Sequence, residues 1–333
     1  MKLRYIKSPG QDAAFHFSVE EYLMEHAPIE QPIFMIWQAD KCAMVGAYQV
    51  AQAEIDLSFA EKAGIQIVRR QSGGGTIFTD LGTLLYTLIL PDANGQSPRE
   101  IVREIFAAPM VRALNKLGIP AKMEGRNDIL ADGKKFSGLA QYVRNGRLCS
   151  HGSLLYNTNL DMLTEVLRVD AEKINSKAIK SVRSRVVNLI EYMAPPISVQ
   201  EFWSMLEEKL AQEWSLEPHS LTQFDLEKID EICNAKYGNP DWTFGKSPKF
   251  SFNNSKRFAG GKVEVFLNII SGIITECMIR GDFLGTKSIC ELEEMIENCE
   301  FTHKSIKEKI SPVDISSYFG DVTEDELLSC MFD

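Results

Sequence analysis

The chain has 333 residues, 44% hydrophobic and 25% charged, with a formal net charge of −10 at pH 7. That acidic balance excludes nucleic-acid binding through bulk positive charge, and the length predicts two domains. Cysteine is present at an odd count of 7 with no Cys-x-x-Cys pair, which excludes a disulfide framework or zinc ribbon and points to a reducing cytoplasm.

Met1-Lys2-Leu3-Arg4 opens the chain without the apolar core of a signal peptide. No later run reaches the roughly eighteen apolar residues of a membrane span, so a soluble protein is expected. Asp12 to His26 reads as a helix with Phe15, Val19, Tyr22 and Leu23 on one side. Ile33–Trp37 and Cys42–Val45 read as strands, and Ser58 is expected to cap a short helix ending at Gly64. The β-branched run from Ile65 to Val68 then ends in Arg69-Arg70-Gln71-Ser72-Gly73-Gly74-Gly75-Thr76-Ile77-Phe78. Consecutive glycines let backbone approach a ligand closely, and their N–H groups can form an anion-binding concavity beside the arginines. The order is neither a P-loop nor a dinucleotide fingerprint.

Leu84–Leu90 reads as a buried strand. Ser97-Pro98 opens a helix to about Leu117, which Pro109 should kink or divide. Asp132-Gly133 predicts a type I′ hairpin that pairs Leu130 with Lys135, Ile129 with Phe136 and Asp128 with Ser137. Alternation then gathers Asp128, Leu130, Lys135 and Ser137 on one face, with Ile129 and Phe136 toward the core. Asn145-Gly146 predicts a second hairpin that places Tyr142, Cys149 and His151 together. Cys149 and His151 should lie about 6–7 Å apart along the strand, too far for thiol activation.

Arg168 to Arg185 is a basic stretch, with Asp170 and Glu172 its acidic members. Ser198-Val199-Gln200-Glu201 is a capping box for a helix to about Trp214, and a further helix spans about Thr222 to Tyr237. The Gly/Pro/Asn-rich segment from Asn239 to Pro248 marks the domain boundary, dividing residues 1–245 from 246–333. Beyond it, strands at Lys249–Phe252, Val263–Ile270 and Ile273–Arg280 and helices near Ser288–Asn298 and Thr323–Cys330 make a small α+β unit. No repeat or low-complexity segment interrupts the chain.

Taken together, R-R-x-S-G-G-G-T-I-F, G-R-N-D, G-K-K-F-S-G-x-A-Q, H-G-S-L-L and S-V-R-S-R-V-x-N-L resemble the lipoate–protein ligase family of the biotin/lipoate ligase superfamily, over nearly the whole chain. The resemblance implies an α/β (α+β) fold: a large mixed-sheet catalytic domain with a small C-terminal α+β accessory domain. It implies ATP-dependent activation of lipoate to lipoyl-AMP and transfer of the lipoyl group to a lysine of an E2 lipoyl domain or H protein. Mg²⁺ is expected as a cofactor with ATP, in a cytoplasmic monomer that binds neither nucleic acid nor membrane.

By the same resemblance Lys135 is the catalytic residue. ATP or the adenylate is expected against Arg70, Ser72, Gly73, Gly74, Gly75, Thr76, Ile77, Phe78, Asn127, Asp128, Lys135, Lys177 and Arg183. Lipoate is expected against Lys135, Ser137, Gly138, Ala140, Gln141, His151 and Gly152, with Leu139, Ala140 and Tyr142 as walls. Asp128 is the expected Mg²⁺ ligand. The chain departs from the family pattern at Val50, Thr79 and Thr83, where asparagine, histidine and asparagine are usual. Three alternatives stay in view: a lipoyl or octanoyl transferase, a biotin ligase, whose glycine loop differs from R-R-x-S-G-G-G, and a non-catalytic acyl-carrier-binding paralogue, which those departures alone support. The transferase would need a cysteine shortly before the lysine hairpin, and Ala121 to Asp128 contains none.

Overall fold

The structure is a computed structural model that describes all residues except 9, 29, 92–96, 168–183, 245–251, 271 and 333. Among the described residues, eleven strands precede residue 245: β1 (Lys2–Lys7), β2 (Ile33–Trp37), β3 (Cys42–Val45), β4 (Gln66–Arg69), β5 (Ile77–Thr79), β6 (Thr83–Pro91), β7 (Ala121–Glu124), β8 (Asp128–Ala131), β9 (Lys134–Arg144), β10 (Arg147–Leu155) and β11 (Ser215–Pro218). Eight form the main sheet in the order β11-β1-β2-β6-β10-β9-β8-β7, and β4-β3-β5 form a small second sheet. The β1–β2 and β1–β11 pairs are parallel, while the centre, from β2 through β6 and β10 to β9, is antiparallel.

Every residue of β10 is buried, because both faces of the sheet are covered there. Leu148 and Leu154 face a core that includes Phe34, Tyr86, Phe106 and Phe202. Cys149 packs on the other side with Phe17 and Leu23 of helix α1 (Ala13–His26). Asp12 caps α1, its carboxylate accepting from Ala14 N–H at 2.9 Å. This helix is buried on more sides than the one-sided apolar pattern implies, since Glu20 and Glu21 are buried with the apolar residues. Buried carboxylates need partners. Glu21 accepts from Lys236 (2.7 Å), Tyr237 (2.6 Å) and Gln71 (3.0 Å), and Glu20 belongs to the site described below.

Most local signals are realised. Asp132 (φ 48°), Gly133 (φ 76°), Asn145 (φ 52°) and Gly146 (φ 68°) form the two left-handed hairpin turns. The Ser198 capping box opens its helix at Val199, and Thr222 forms a second capping box at Gln223. Two local readings need correction, the cap before Gly64 and the register of the lysine hairpin, while the expected division of the helix holding Pro109 is present. The helix ending at Ala63 is capped by Asp56, not Ser58, because the Asp56 carboxylate reaches Phe59 N–H at 2.9 Å. The helix through Pro109 is divided by a π-helical segment, Val102–Ala107, a wide turn just ahead of a residue that has no N–H to donate. The lysine hairpin pairs Leu130 with Lys135 as expected, but a bulge then pairs Ile129 with Ser137 and Asp128 with Gly138.

After residue 251, β12 (Phe252–Phe258), β13 (Gly261–Ile270) and β14 (Ile273–Gly281) form an antiparallel sheet. It carries its own apolar cluster, including Val265, Ile279, Leu292 and Phe319. Its helices include His303–Ile310 and Ile315–Phe319, which had no clear signal in the sequence. Residues 249–251 of the first expected strand, Lys249–Phe252, and the expected boundary at 245/246 lie outside the described residues, while Phe252 opens β12. This C-terminal part sits on the glycine loop. Gly74 N–H donates to Phe283 O at 3.0 Å, and Tyr48 stacks on Phe283 at 5.1 Å between ring centroids.

Candidate active site

The hairpin of β8 and β9 delivers Lys135 to the edge of a cavity. Its Nζ lies 2.7 Å from Asp128 Oδ1, and both side chains are partly exposed. A Cβ at Gly138 would stand 3.1 Å from Lys135 Nζ, so the lysine stem crosses the bare glycine. Asn127 fastens the same strand pair: its Nδ2 donates to Leu139 O at 2.8 Å, and its carbonyl accepts from Leu139 N–H at 2.8 Å.

This cavity measures about 150 Å³ and brings Lys135, Asn127 and Gly138 together with the glycine loop at Gly74, Gly75 and Thr76. Phe17, Trp37, Met44, Ile77, Leu85 and Leu139 give it an apolar interior, while Arg70, Ala140, His151, Gly152 and Ser153 complete the lining. A second cavity of about 550 Å³ adjoins it through Asn127, Leu139 and Ala140, and is lined further by Arg126, Gln141 and the C-terminal residues Leu284 and Ser317.

The glycine loop is built by two buried arginines. Arg69 donates to the carbonyls of Gly46 (2.8 Å), Gln49 (2.7 Å) and Thr243 (2.6 Å), which joins three separate segments. Arg70 donates to Met44 O (2.7 Å), Gly73 O (2.8 Å), Gly75 O (2.8 Å) and Ser72 Oγ (3.1 Å). Burial lowers the pKa of each guanidinium to about 10, which still leaves both charged at neutral pH. Gly74 takes φ +90°, a conformation an L side chain rarely adopts, and this turns the loop between its two anchored carbonyls. Arg70, expected to hold phosphate directly, instead spends these donors on the loop itself.

Behind the loop, Ser72 Oγ lies 2.6 Å from His151 Nε2, and His151 Nδ1 lies 3.1 Å from Glu20 Oε2. Cys149 Sγ comes within 4.8 Å of a ring nitrogen of His151, closer than the strand spacing implied. Burial first, and then the charge of Glu20, hold the Cys149 thiol well above its ordinary pKa, so no thiolate forms there.

Two family models match the chain: the lipoyl protein ligase A/B catalytic domain over residues 12–211 and the bacterial lipoate protein ligase C-terminus over residues 247–331. Lipoate-protein ligase LplJ of Bacillus subtilis (strain 168) is 35% identical over 324 residues, covering 96% of this chain and 97% of the relative. The chain belongs to the lipoate–protein ligase family. The fold agrees: the crystal structure of P. falciparum LipL1 with lipoate matches with a TM-score of 0.77 at 23% identity, over 99% of this chain and 97% of that one. A lipoate-protein ligase A bound with ATP matches with a TM-score of 0.64 at 25% identity, over 74% and 99% of the two chains.

Within this ligase fold the expected site residues divide. Lys135, Asn127, Gly74, Gly75, Thr76, Ile77, Gly138, Ala140, His151 and Gly152 line the cavity with Arg70. Gln141 lines the adjoining one. Ser72 is fully buried behind the loop, and Gly73 supplies a carbonyl to Arg70. Phe78 points away, into a cluster with Ala43 and Val45, because alternation along β5 sends Ile77 to the cavity instead. Ser137 is pulled inward by the bulge, and its Oγ lies 3.1 Å from Tyr86 OH. Tyr142 lines a different cavity of about 850 Å³, which contains neither Lys135 nor the loop glycines. Lys177 and Arg183 lie outside the described residues. The reading from sequence missed Phe17, Trp37, Met44, Leu85 and Glu20. Two adjacent glutamates, Glu20 and Glu21, within a largely apolar helix were the sequence signal for Glu20.

Proposed function

We infer that the protein is an ATP-dependent lipoate–protein ligase that forms lipoyl-AMP and passes the lipoyl group to a lysine of an acceptor protein. One observation carries this reading: an apolar cavity, a lysine and a glycine-rich loop share one space, and burial keeps the nearby Cys149 thiol protonated. In the first step the lipoate carboxylate attacks the α-phosphorus of ATP, and the bond to the β-phosphate breaks to release pyrophosphate. In the second, the acceptor amine attacks the carbonyl, the bond to AMP breaks, and the amine gives up a proton.

Negative charge grows on phosphoryl oxygen and then on carbonyl oxygen, so the catalyst needed is preorganised positive charge and N–H donors. An ammonium has three donors. Lys135 can therefore keep Asp128 and still reach one oxygen of each reacting group. The Gly74 and Gly75 amides stand beside it, once Gly74 releases Phe283 O. Arg70 acts from behind by setting the loop carbonyls inward. The lipoyl chain lies along Phe17, Trp37, Met44, Ile77, Leu85 and Leu139, and the nucleotide enters from the adjoining 550 Å³ cavity. Asp128 offers a single carboxylate, which suits Mg²⁺ arriving with phosphate and water ligands rather than a cage built by protein. There the ion would neutralise phosphate charge.

E2 lipoyl domains and H protein are the acceptors this chemistry serves, and a single chain supplies both cavities, as a monomer needs. No helix among the described residues is long and apolar enough to cross a membrane, which suits a cytoplasmic enzyme.

The test is incubation with ATP, Mg²⁺ and lipoate, followed by mass spectrometry. Lipoyl-AMP without an acceptor, and a lysine-linked lipoyl group with a lipoyl domain or H protein, are expected. An acyl thioester on a cysteine, with no dependence on ATP, would establish a transferase instead.

A further inference from the structure

Guanidinium and indole N–H groups donate hydrogen bonds and never accept them. That rule sets where the buried array behind the acyl cavity begins, and the hydroxyl protons then need acceptors of their own. Arg70 Nε is 3.1 Å from Ser72 Oγ, so Ser72 accepts there. Among the described residues His151 Nε2, at 2.6 Å, is the remaining partner of Ser72 Oγ, so a Ser72 O–H that finds an acceptor donates to that nitrogen. The ring proton is therefore on Nδ1, facing the Glu20 carboxylate at 3.1 and 3.2 Å. A second branch runs the same way. Trp37 Nε1–H donates to Thr87 Oγ1 at 3.2 Å, and Thr87 O–H donates to Glu20 Oε1 at 2.5 Å.

Both branches end on one carboxylate that is 2% exposed and is not among the cavity-lining residues. His151 and Trp37, by contrast, are walls of the acyl cavity, and Arg70 holds the carbonyls of Gly73 and Gly75. Only a group that accepts from both sides satisfies the array. An amide at position 20 would set an N–H against one of its two donors, and the partner that turned would lose its own acceptor.

We propose that Glu20 is a positioning residue of the ligase reaction: through His151 and Ser72 it fixes Arg70, and through Arg70 it keeps the glycine loop aligned with the acyl cavity. The kinetic part rests on the ligase reading, while the direction of the hydrogen bonds stands without it.

Two measurements on the full chain test it. ¹⁵N NMR of the histidine side chains should show His151 as the Nδ1–H tautomer in the unmodified protein. An Nε2–H tautomer or an imidazolium at neutral pH overturns the proposal, whatever the activity. Kinetics of lipoyl-AMP formation then compare Glu20→Gln, Ser72→Ala and the double variant, each checked for a native melting transition. Losing one buried charge-assisted hydrogen bond should lower kcat/KM for ATP about tenfold in each single variant. If the effect travels along one chain, the double variant should be no worse than the poorer single. Multiplying losses, or a Glu20→Gln enzyme with the parental kcat/KM for ATP, would overturn it.

Discussion

Lys135 Nζ reaches Asp128 Oδ1 at 2.7 Å, although the bulge in their strand pair sets Asp128 opposite Gly138. The slip leaves a glycine beneath the lysine stem, and it separates Lys135 from Ser137, which turns into the core. A lysine held this way is a fixed charge at the edge of the cavity it shares with the glycine loop.

Replacing it should therefore remove chemistry and spare the fold. Lys135→Ala is expected to lose at least about 10²-fold in the rate of lipoyl-AMP formation. Lys134, paired with Ala131 and exposed, should tolerate the same change. Parental rates for Lys135→Ala in a pyrophosphate-release assay would remove this residue from the mechanism.

Gly138→Ala tests the floor under the lysine. The new methyl would stand 3.1 Å from Nζ and 3.2 Å from Cε, and the lysine end can swing aside without moving backbone. Adenylation should fall about tenfold or more while the melting temperature stays close to the parent's. A large drop in melting temperature would show that the contact carries stability instead.

His16 gives a pH dependence of stability. It is fully buried beside Trp37, with Nδ1 2.9 Å from Ser8 Oγ. Burial lowers its pKa from 6.5 to about 4. The unfolded chain takes up a proton below 6.5 while the native protein does not, so stability is lost as pH falls from 6.5 toward 4. The full loss is roughly 3 kcal/mol. Melting curves from pH 7 to 4 should show a steeper decline for the parent than for His16→Gln, and parallel declines would refute this assignment.

Thr79 stands where the family usually has histidine. Its Oγ1 is buried and has no hydrogen-bond partner among the described residues. An unpaired buried hydroxyl costs about 1–3 kcal/mol, and valine has nearly the same shape. Thr79→Val should therefore raise the denaturant midpoint without changing the slope. A lower midpoint would reveal a partner for the hydroxyl.

What the sequence determined by itself is local or is carried by motif. Asp132-Gly133 and Asn145-Gly146 specify left-handed turns because few other residue pairs tolerate positive φ, and Ser198 and Thr222 start helices by capping amides within three residues. The glycine loop and the lysine hairpin were legible as a ligase pattern for the same reason, since each lies within a short continuous stretch.

Tertiary structure alone decided which groups those stretches face. His151 meets Glu20 across 131 positions and Ser72 across 79; the first pairing arises when α1 packs against β10, the second when the glycine loop does. Trp37, Met44 and Leu85 become cavity walls by sheet order, and Arg70 turns to loop carbonyls because its burial leaves those acceptors within reach. Backbone preference acts over a few residues, whereas a buried polar group takes whatever partner the packed core brings to it. That is why the hairpin could be read from sequence, while its bulge and the carboxylate behind the loop could not.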